Sequence, residues 1–424
     1  MGIPRFARLL QRTAWLQRHR AGFTTRCCSD KRRLLIDISV ISQRDAQTGI
    51  QRVVRAVWSE LSRLQSSLFE VVPVFASSAA GYCEAPVGFL ESGRRQVARV
   101  PVKVRPNDVF LGLDLSAQLL PDYRRQLRAW RRDGASMNIV AYDLLPLMRG
   151  DFFDRRTVSN FKRWFEFVAR DSDQVFCISR QVGRDVRERL RQLDRFTPGT
   201  PAIRYLQMGS DISASRPSAG IGDDVRQLLD RMRFRPTILL VGTVEPRKGY
   251  DVALDAFEYL WGNRGGDAPD MVIVGKPGWK TRPLQRRLRS HPEHGRRLHW
   301  LTSVSDEGLC RLYEASRGLL MASQAEGFGL PLIEAASHRR YVLARDLPVF
   351  REQNLPNASF FEDDDPQVLG QQILELSLKG LHPSPPAVLP TWSDSVHHLV
   401  ADLGLQLSGQ MPRAATEGGV RVES

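Results

Sequence analysis

Two glutamates, Glu326 and Glu334, stand eight positions apart in the run Ala-Glu-Gly-Phe-Gly-Leu-Pro-Leu-Ile-Glu. A short apolar segment (318–323) precedes this run and a helical pattern (331–337) follows it, which predicts a strand-to-helix turn that carries the glycines. Such a turn presents backbone N–H groups at a helix N-terminus, where an anion or sugar hydroxyls can be held. The spacing predicts that both carboxylates face one crevice. The simpler interpretation, two solvated glutamates on a helix surface, is disfavoured by the glycines and the preceding strand.

A second turn carries two adjacent cations. Arg247 and Lys248 follow a strand-like run (237–242) and precede a predicted helix (250–260), within the segment Gly-Thr-Val-Glu-Pro-Arg-Lys-Gly. A fork-shaped guanidinium beside an ammonium at the carboxyl end of a strand suits a diphosphate. Taken alone, a solvated Arg-Lys turn is the simpler interpretation. The position of this turn relative to the Glu326 turn favours the interpretation as a diphosphate-binding site.

Alternating strand and helix patterns must position these turns. Strand-like runs in the first half of the chain lie at 33–39, 69–75, 108–113, 137–143 and 174–179, with a closing strand and turn at 205–211. A second series lies at 237–242, 271–275, 298–301, 318–321 and 341–344. Such alternation predicts an α/β fold of two Rossmann-like domains, each with a largely parallel sheet. Ligands of these sheets bind beyond the carboxyl ends of the strands, so we expect the site in the cleft between the domains.

Composition shifts suggest the domain boundaries. We assign 31–212 to the N-terminal domain, 213–222 to a linker rich in Ser, Ala and Gly, and 223–408 to the C-terminal domain. The polar stretch 409–424 is predicted to be a disordered tail. Residues 1–30 alternate arginine with large apolar residues and contain no acidic residue before position 30. This pattern fits a basic amphipathic segment on anionic lipid, an organellar transit peptide or a disordered extension.

The formal net charge of +14 over 424 residues indicates attraction to an anionic partner. Nucleic acid, an acidic membrane surface and a phosphorylated substrate all qualify, but the sequence has neither zinc-finger spacing nor a recurrent aromatic-basic platform, so a specific nucleic acid is not expected. The five scattered cysteines suit a reducing compartment. No stretch approaches the ~20 apolar residues of a transmembrane helix. We therefore expect a cytoplasmic protein, with any membrane contact being peripheral at the inner face.

Several motifs resemble, in the same order, those of retaining GT-B glycosyltransferases of family four, the group 1 glycosyltransferases. They lie at 237–257, 271–275, 304–313, 326–334 and 349–352, and their collinearity is more specific than any one of them. The first half resembles this family more loosely, at 35–37, 48–52, 143–147 and 177–179, and most of all its mannosyltransferase-like members in polysaccharide and lipopolysaccharide assembly. The resemblance implies the GT-B fold, with an N-terminal acceptor domain and a C-terminal nucleotide-sugar donor domain.

The resemblance also implies roles for individual residues. The catalytic set is Arg247, Lys248, Glu326 and Asp143, and the donor-binding set is Gly49, Gly242, Val304, Phe328, Gly329, Leu330 and Glu334. The two cations would hold the diphosphate and stabilise the leaving group. Glu326 would bind sugar hydroxyls, Glu334 the ribose, and the N–H groups of 328–330 sugar or phosphate. Gly49 would allow close backbone approach to the diphosphate, and Asp143 would either orient the acceptor or cap the helix after it.

The activity implied is retaining transfer of a hexose from a nucleotide-diphosphate sugar to a glycan or lipid-linked acceptor, without a cofactor or a divalent metal. No metal-ligand spacing is present. GDP-mannose is the donor suggested by the resemblance around 143–146, with a UDP-sugar or a deoxyhexose donor as the alternative. A catalytically silent GT-B binding or scaffold protein is a further alternative. In one departure, Tyr142 stands where many relatives have histidine, which puts any side-chain role of that histidine in doubt.

Overall fold

The computed structural model describes residues 31–43, 45, 48–64, 69–90, 100–193, 200–379 and 388–405. The amphipathic extension predicted at 1–30 and the tail predicted at 409–424 lie outside these residues. Within the described ranges the chain forms two α/β domains, each built on its own sheet. The predicted fold class, two Rossmann-like domains with a cleft between them, is confirmed.

The N-terminal domain has an eight-stranded sheet in the order β4-β3-β2-β1-β5-β6-β7-β8. Its strands are β1 (Arg32–Asp37), β2 (Phe69–Ser77), β3 (Gly81–Glu84), β4 (Val100–Pro101), β5 (Val109–Gly112), β6 (Ser136–Ala141), β7 (Gln174–Cys177) and β8 (Ala202–Tyr205). Its helices are α1 (Gly49–Arg63), α2 (Arg124–Arg132), α3 (Leu145–Met148), α4 (Arg155–Asp171) and α5 (Arg180–Gln192). β3 and β4 form an antiparallel edge, and the other six strands pair in parallel. Parallel strands buried on both faces require apolar runs, as in the fully buried Leu34, Leu35 and Ile36 of β1.

The C-terminal domain has a six-stranded parallel sheet in the order β11-β10-β9-β12-β13-β14. Its strands are β9 (Thr237–Val241), β10 (Asp270–Val274), β11 (Leu298–Leu301), β12 (Gly318–Met321), β13 (Tyr341–Arg345) and β14 (Ala358–Phe361). Its helices are α6 (Asp223–Met232), α7 (Tyr250–Arg264), α8 (Arg282–Ser290), α9 (Asp306–Ala315), α10 (Leu330–Ser337), α11 (Pro348–Arg351) and α12 (Pro366–Leu378). The strand order reverses between β9 and β12, and a crevice opens at such a switch point.

Four strands differ from the sequence prediction. The short strands β3, β4 and β14 were not predicted, and β8 lies at Ala202–Tyr205 instead of at 205–211. Strand β8 is an edge strand with mostly exposed side chains. Such a strand lacks the buried apolar run by which the other parallel strands were recognised.

The boundary of the C-terminal domain also differs. The last described helix, α13 (Trp392–Asp402), was assigned to the C-terminal domain within 223–408, but its buried side chains belong to the core of the N-terminal domain. Trp392, Val396 and Leu399 are at most 1% exposed there. The side chain of Arg32 in β1 also donates to the carbonyl of Gly404 at 2.8 Å. The apolar face of α13 predicts burial but not the partner, so the assignment by chain position was wrong.

The two domains meet through polar and apolar contacts. Glu352, which follows α11, accepts hydrogen bonds from the backbone N–H groups of Arg180 (2.9 Å) and Gln181 (3.0 Å) at the start of α5. Ile333 of α10 is buried in the N-terminal core, and Phe328 packs against it. The start of α10 is therefore seated against the N-terminal domain, which places the Glu326 turn at the junction.

Candidate functional site

The predicted cationic turn and the predicted glutamate turn are neighbours at the switch point. Arg247 and Lys248 lie in a 3-10 helix (Pro246–Lys248) that follows β9, and Glu326 lies in the loop that follows β12. The backbone N–H of Gln324 donates to the carbonyl of Arg247 at 2.7 Å, which ties the two loops together. Because β9 and β12 are adjacent parallel strands, both turns emerge at the same edge of the sheet.

The carboxylate of Glu326 binds both cations. Arg247 Nη1 lies 2.6 Å from Glu326 Oε2, and Lys248 Nζ lies 2.5 Å from Glu326 Oε1. The hydroxyl of Ser323 also donates to Oε1 at 2.8 Å. Burial alone would raise the pKa of Glu326, but the charges of Arg247 and Lys248 together with their hydrogen bonds outweigh it and lower the pKa to about 2. Glu326 is thus an ionised carboxylate at neutral pH.

Two further carboxyl groups face the same guanidinium. Glu245 Oε1 lies 2.7 Å from Arg247 Nη2, and Asp143, from the N-terminal domain, interacts electrostatically with Arg247. Burial raises the pKa of both acids, and the positive charge of Arg247 opposes this rise. The Asp143 carboxylate also accepts a hydrogen bond from the N–H of Leu145 at 3.0 Å, at the first residue of α3. This geometry is compatible with either predicted role of Asp143, helix capping or acceptor orientation.

Gly327 lies in close contact with the N-terminal domain at this site. A Cβ added there would lie 2.1 Å from the carbonyl oxygen of Tyr142 and 3.1 Å from Cβ of Asp143, so only glycine fits. The Tyr142 side chain is 2% exposed, and its hydroxyl donates to the carbonyl of Leu113 at 2.8 Å. The side chain therefore lies inside the N-terminal domain, and the backbone of Tyr142 is what meets the C-terminal domain.

Two helix N-termini converge on the junction. Gly49 starts α1 behind a Thr48 and Gln51 capping box, and Gly329, with φ of 95°, is the N-cap of α10. A Cβ added at Gly49 would lie 3.6 Å from Cδ1 of Leu330, which is ordinary van der Waals contact. Among the described residues, none accepts a hydrogen bond from the backbone N–H of Phe328 or Gly329. Helix N-termini carry partial positive charge, so this region favours an anion.

Glu334 belongs to a second cluster, away from the cationic turn. Glu334 is buried, with its side chain 3% exposed; its carboxylate is paired with the guanidinium of Arg52 from α1 and accepts a hydrogen bond from the hydroxyl of Tyr313 at 3.0 Å. Arg52 Nη2 also lies 2.8 Å from Asp306 Oδ1 of α9. Asp306 accepts two more hydrogen bonds, from the N–H and the hydroxyl of Ser218. Arg52 thus joins the N-terminal domain to two carboxylates of the C-terminal domain.

The structure also places the remaining predicted residues. Gly242, with φ of 141°, accepts a hydrogen bond at its carbonyl from the hydroxyl of Tyr250 at 2.6 Å. A Cβ added at Gly242 would lie 3.3 Å from Nζ of Lys248, so this glycine leaves room for the ammonium. Val304 is partly buried just before α9, and its side chain packs against the C-terminal core. Gly242 therefore lies in the cationic cluster, whereas Val304 lies nearer to Asp306.

Sequence reasoning missed the contribution of Arg52, Tyr313 and Asp306. All three lie inside quoted motifs, but nothing in the sequence shows that a cation at position 52 pairs with a carboxylate 282 positions later. Within the described ranges, no group of three or more His, Cys, Asp or Glu side chains is arranged to hold a metal ion. Nor does any helix of the described chain have the length and apolar character needed to cross a membrane.

Comparison with known proteins supports the motif interpretation. Residues 235–378 match the family model described as "Glycosyl transferases group 1". The serotype-specific mannosyltransferase WbdA of Escherichia coli is 37% identical over 379 residues, which cover 88% of this chain and 45% of WbdA. The chain thus spans about half the length of the curated relatives it matches. The D-inositol 3-phosphate glycosyltransferase of Nocardia farcinica is 28% identical over 173 residues, 40% of this chain and 38% of that protein.

Solved structures share the fold. The Anabaena protein Alr3699/HepE, in complex with UDP and glucose, has a TM-score of 0.58 at 13% identity and covers 88% of this chain and 99% of its own. Sucrose-phosphate synthase from Thermosynechococcus elongatus has a TM-score of 0.56 at 14% identity, covering 88% of this chain and 95% of its own. At such identities the likeness establishes the fold alone. Residues 235–378 therefore form a group 1 glycosyltransferase domain, in a chain that has the GT-B fold.

Proposed function

We propose that this chain transfers mannose from GDP-mannose to a hydroxyl of a growing glycan, with retention at the anomeric carbon and without a divalent metal. The observation that carries this proposal is the contact of Glu326 with both Arg247 and Lys248 at the switch point. The similarity to mannosyltransferase WbdA supports mannose as the sugar.

The cations suit a leaving diphosphate. Charge builds on the leaving group as the bond to the sugar breaks, and positive groups already in place stabilise it at that moment. A guanidinium has five N–H donors, so Arg247 can hold Glu326 and Glu245 and still donate to a phosphate oxygen. The convergent N-termini of α1 and α10 add partial positive charge on the same side. Gly49 and Gly329 would let the backbone approach the phosphates.

In this proposal the acidic residues bind different parts of the donor, the sugar and the ribose. A carboxyl group with a pKa of about 2 transfers protons poorly at neutral pH, so Glu326 would accept hydrogen bonds from sugar hydroxyls. Glu334 would accept from the ribose hydroxyls. Its two oxygens have lone pairs beyond those that Arg52 and Tyr313 occupy. Asp143 lies on the acceptor side of the junction, where it would orient the attacking hydroxyl.

In this proposal the acceptor is a glycan or a lipid-linked glycan of cell-surface polysaccharide assembly. The net charge of +14 favours a peripheral position on the anionic inner face of the cytoplasmic membrane. The acceptor follows from the proposed activity and is tested with it.

The test is turnover with a panel of nucleotide sugars and mannose oligosaccharides, comparing wild type with Lys248→Ala. We expect transfer from GDP-mannose and a fall in kcat/KM of about 10²-fold or more in Lys248→Ala, because the variant loses a donor to the leaving group. Lys162→Ala, which removes the same charge from an exposed position on α4, serves as the control and should match wild type. Undiminished activity of Lys248→Ala would refute the diphosphate role. Preference for a UDP-sugar would refute the donor, and no turnover with any donor would indicate a binding protein.

A further inference from the structure

Two aromatic rings from different domains meet beside the junction. Trp279, in the loop between β10 and α8, is 41% exposed, and Phe153, which follows the short 3-10 helix Gly150–Phe152, is partly buried. Their centroids lie 5.9 Å apart, and their planes are inclined by 32°. We call Phe153 and Trp279 the aromatic pair. A large exposed indole on a loop next to a cleft is typical of a binding surface, since packing alone would bury it.

Hydrogen bonds between the domains hold the segments that carry the pair. Trp279 Nε1 donates to the carbonyl of Phe152 at 2.8 Å. Lys280 Nζ donates to the carbonyls of Asp151 (2.9 Å) and Phe153 (2.7 Å), so two side chains of the C-terminal domain occupy three consecutive carbonyls of the N-terminal domain. Lys280 has φ of 56°, a backbone conformation that residues with a Cβ adopt only when their surroundings require it. The polar edge of the indole is thereby used, and the exposed 41% of Trp279 is left for contact.

Both segments of chain that carry the pair are connected to the candidate site, one by hydrogen bonds and the other along the chain. On the C-terminal side, the carbonyl of Val244 accepts hydrogen bonds from the N–H of Gly278 (3.0 Å) and the hydroxyl of Thr281 (2.8 Å). Val244 lies three positions before Arg247. On the N-terminal side, Asp143 precedes α3, which leads into the turn that carries Phe153. The aromatic pair is therefore tied to the loops that carry Arg247 and Asp143.

We propose that Phe153 and Trp279 form a stacking platform for a sugar ring of the acceptor glycan, beyond the sugar that receives the transferred mannose. This platform presupposes the mannosyl transfer proposed above. A pyranose ring presents C–H groups of partial positive character on its apolar faces, and the face of an aromatic ring is negative. A fixed aromatic ring offers such contact at little cost in conformational entropy. The neighbouring carbonyls are already paired, so stacking and not hydrogen bonding is what the pair offers.

A platform with one ring from each domain is complete only while the domains are together. Glycan that stacks on both rings stabilises the same arrangement that brings Asp143 and Arg247 into one site. By thermodynamic linkage, acceptor glycan should then tighten nucleotide binding by the same factor by which nucleotide tightens glycan binding.

The test measures binding of a linear α-mannotetraose by ligand-observed NMR, in the presence of GDP, to wild type and three variants. Trp279→Ala should raise the Kd of the glycan about tenfold, whereas Trp279→Phe, which keeps an aromatic face, should change it by less than about threefold. Lys280→Met is the matched control, because it removes two hydrogen bonds across the same contact and keeps both rings. It should also change the Kd by less than about threefold. Melting curves establish that each variant is folded.

Three results would overturn the platform. They are absence of saturable glycan binding to wild type, an unchanged Kd in Trp279→Ala, and equal weakening in Trp279→Ala and Lys280→Met, which would mean that the pair is only a contact between domains. Failure of the proposed function is detected by a separate measurement, in which no mannose is transferred from GDP-mannose. Loss of glycan binding in Trp279→Ala alone, with wild-type Kd for GDP measured without glycan, supports the platform.

Discussion

Substitution of Glu326 by glutamine should destabilise the protein in a pH-dependent manner. The carboxylate has a pKa of about 2 in the folded protein against an ordinary value of 4.5, because Arg247 and Lys248 outweigh the effect of its burial. The folded protein therefore holds its proton less tightly than the unfolded chain does. The stabilisation is fully present above pH 4.5 and is lost as the pH falls toward 2. At pH 7 the shift corresponds to about 3 kcal/mol in the free energy of unfolding.

The destabilisation expected at lower pH follows from the same two pKa values of Glu326, about 2 in the folded protein and 4.5 ordinarily. If the glutamine amide behaves like the protonated carboxyl group, the difference between wild type and Glu326→Gln falls from about 3 kcal/mol at pH 7 to about 2 kcal/mol at pH 3.5. For a domain of this size, a loss of about 3 kcal/mol is a Tm difference of roughly 6–12 °C. The direction is unambiguous, since no ionised carboxylate remains in the variant at position 326.

Differential scanning calorimetry of both proteins at pH 7, 5 and 3.5 measures the effect. The expected result is a Tm gap that is widest at pH 7, nearly unchanged at pH 5 and clearly narrower at pH 3.5. Comparison with wild type at each pH cancels the titration of the groups that do not interact with Glu326. A gap of the same size at all three pH values would refute the reasoning, because the loss would then come from packing and not from the ionised carboxylate.

Replacing Arg52 with methionine should leave Glu334 buried without its cation. We expect this to weaken the contact between the two domains by about 3 kcal/mol of free energy. Hydrogen exchange should then quicken at the start of α10, and an unchanged exchange rate would contradict this. Gly327→Ala places a Cβ 2.1 Å from the Tyr142 carbonyl oxygen, so the backbones of the two domains must move apart there; we expect a lower Tm and at least about a tenfold fall in transfer. Gly262→Ala, where a Cβ meets no atom within 4 Å, is the control in an exposed position of α7 and should retain wild-type transfer.

Much of the site was predictable because it follows from short-range patterns. Strands β9 and β12 are continuous buried apolar runs, and each is followed at once by a glycine-bearing turn. Since parallel strands share a carboxyl edge, the Arg247 turn and the Glu326 turn had to emerge at one edge of the sheet. Their adjacency depends on the strand order, which places β9 beside β12.

What the sequence could not show are contacts between distant segments. The pairing of Arg52 with Glu334 depends on how two domains seat against each other, and no local pattern encodes that. Helix α13 has an apolar face that must be buried, but nothing local shows that Trp392 joins the N-terminal core, most of whose residues lie far earlier in the chain. Gly209 shows how tight this fit is, since a Cβ there would lie 2.5 Å from the backbone nitrogen of Trp392.

The most direct test of donor and mechanism is an NMR time course of GDP-mannose with the protein and an α-mannotetraose acceptor. We expect release of GDP in step with a new anomeric signal of α configuration, the configuration that the mannose has in the donor. Lys248→Ala should show neither on the same timescale. A β-configured product would contradict retention, and GDP-mannose that stays intact beside an active UDP-sugar reaction would contradict the proposed donor.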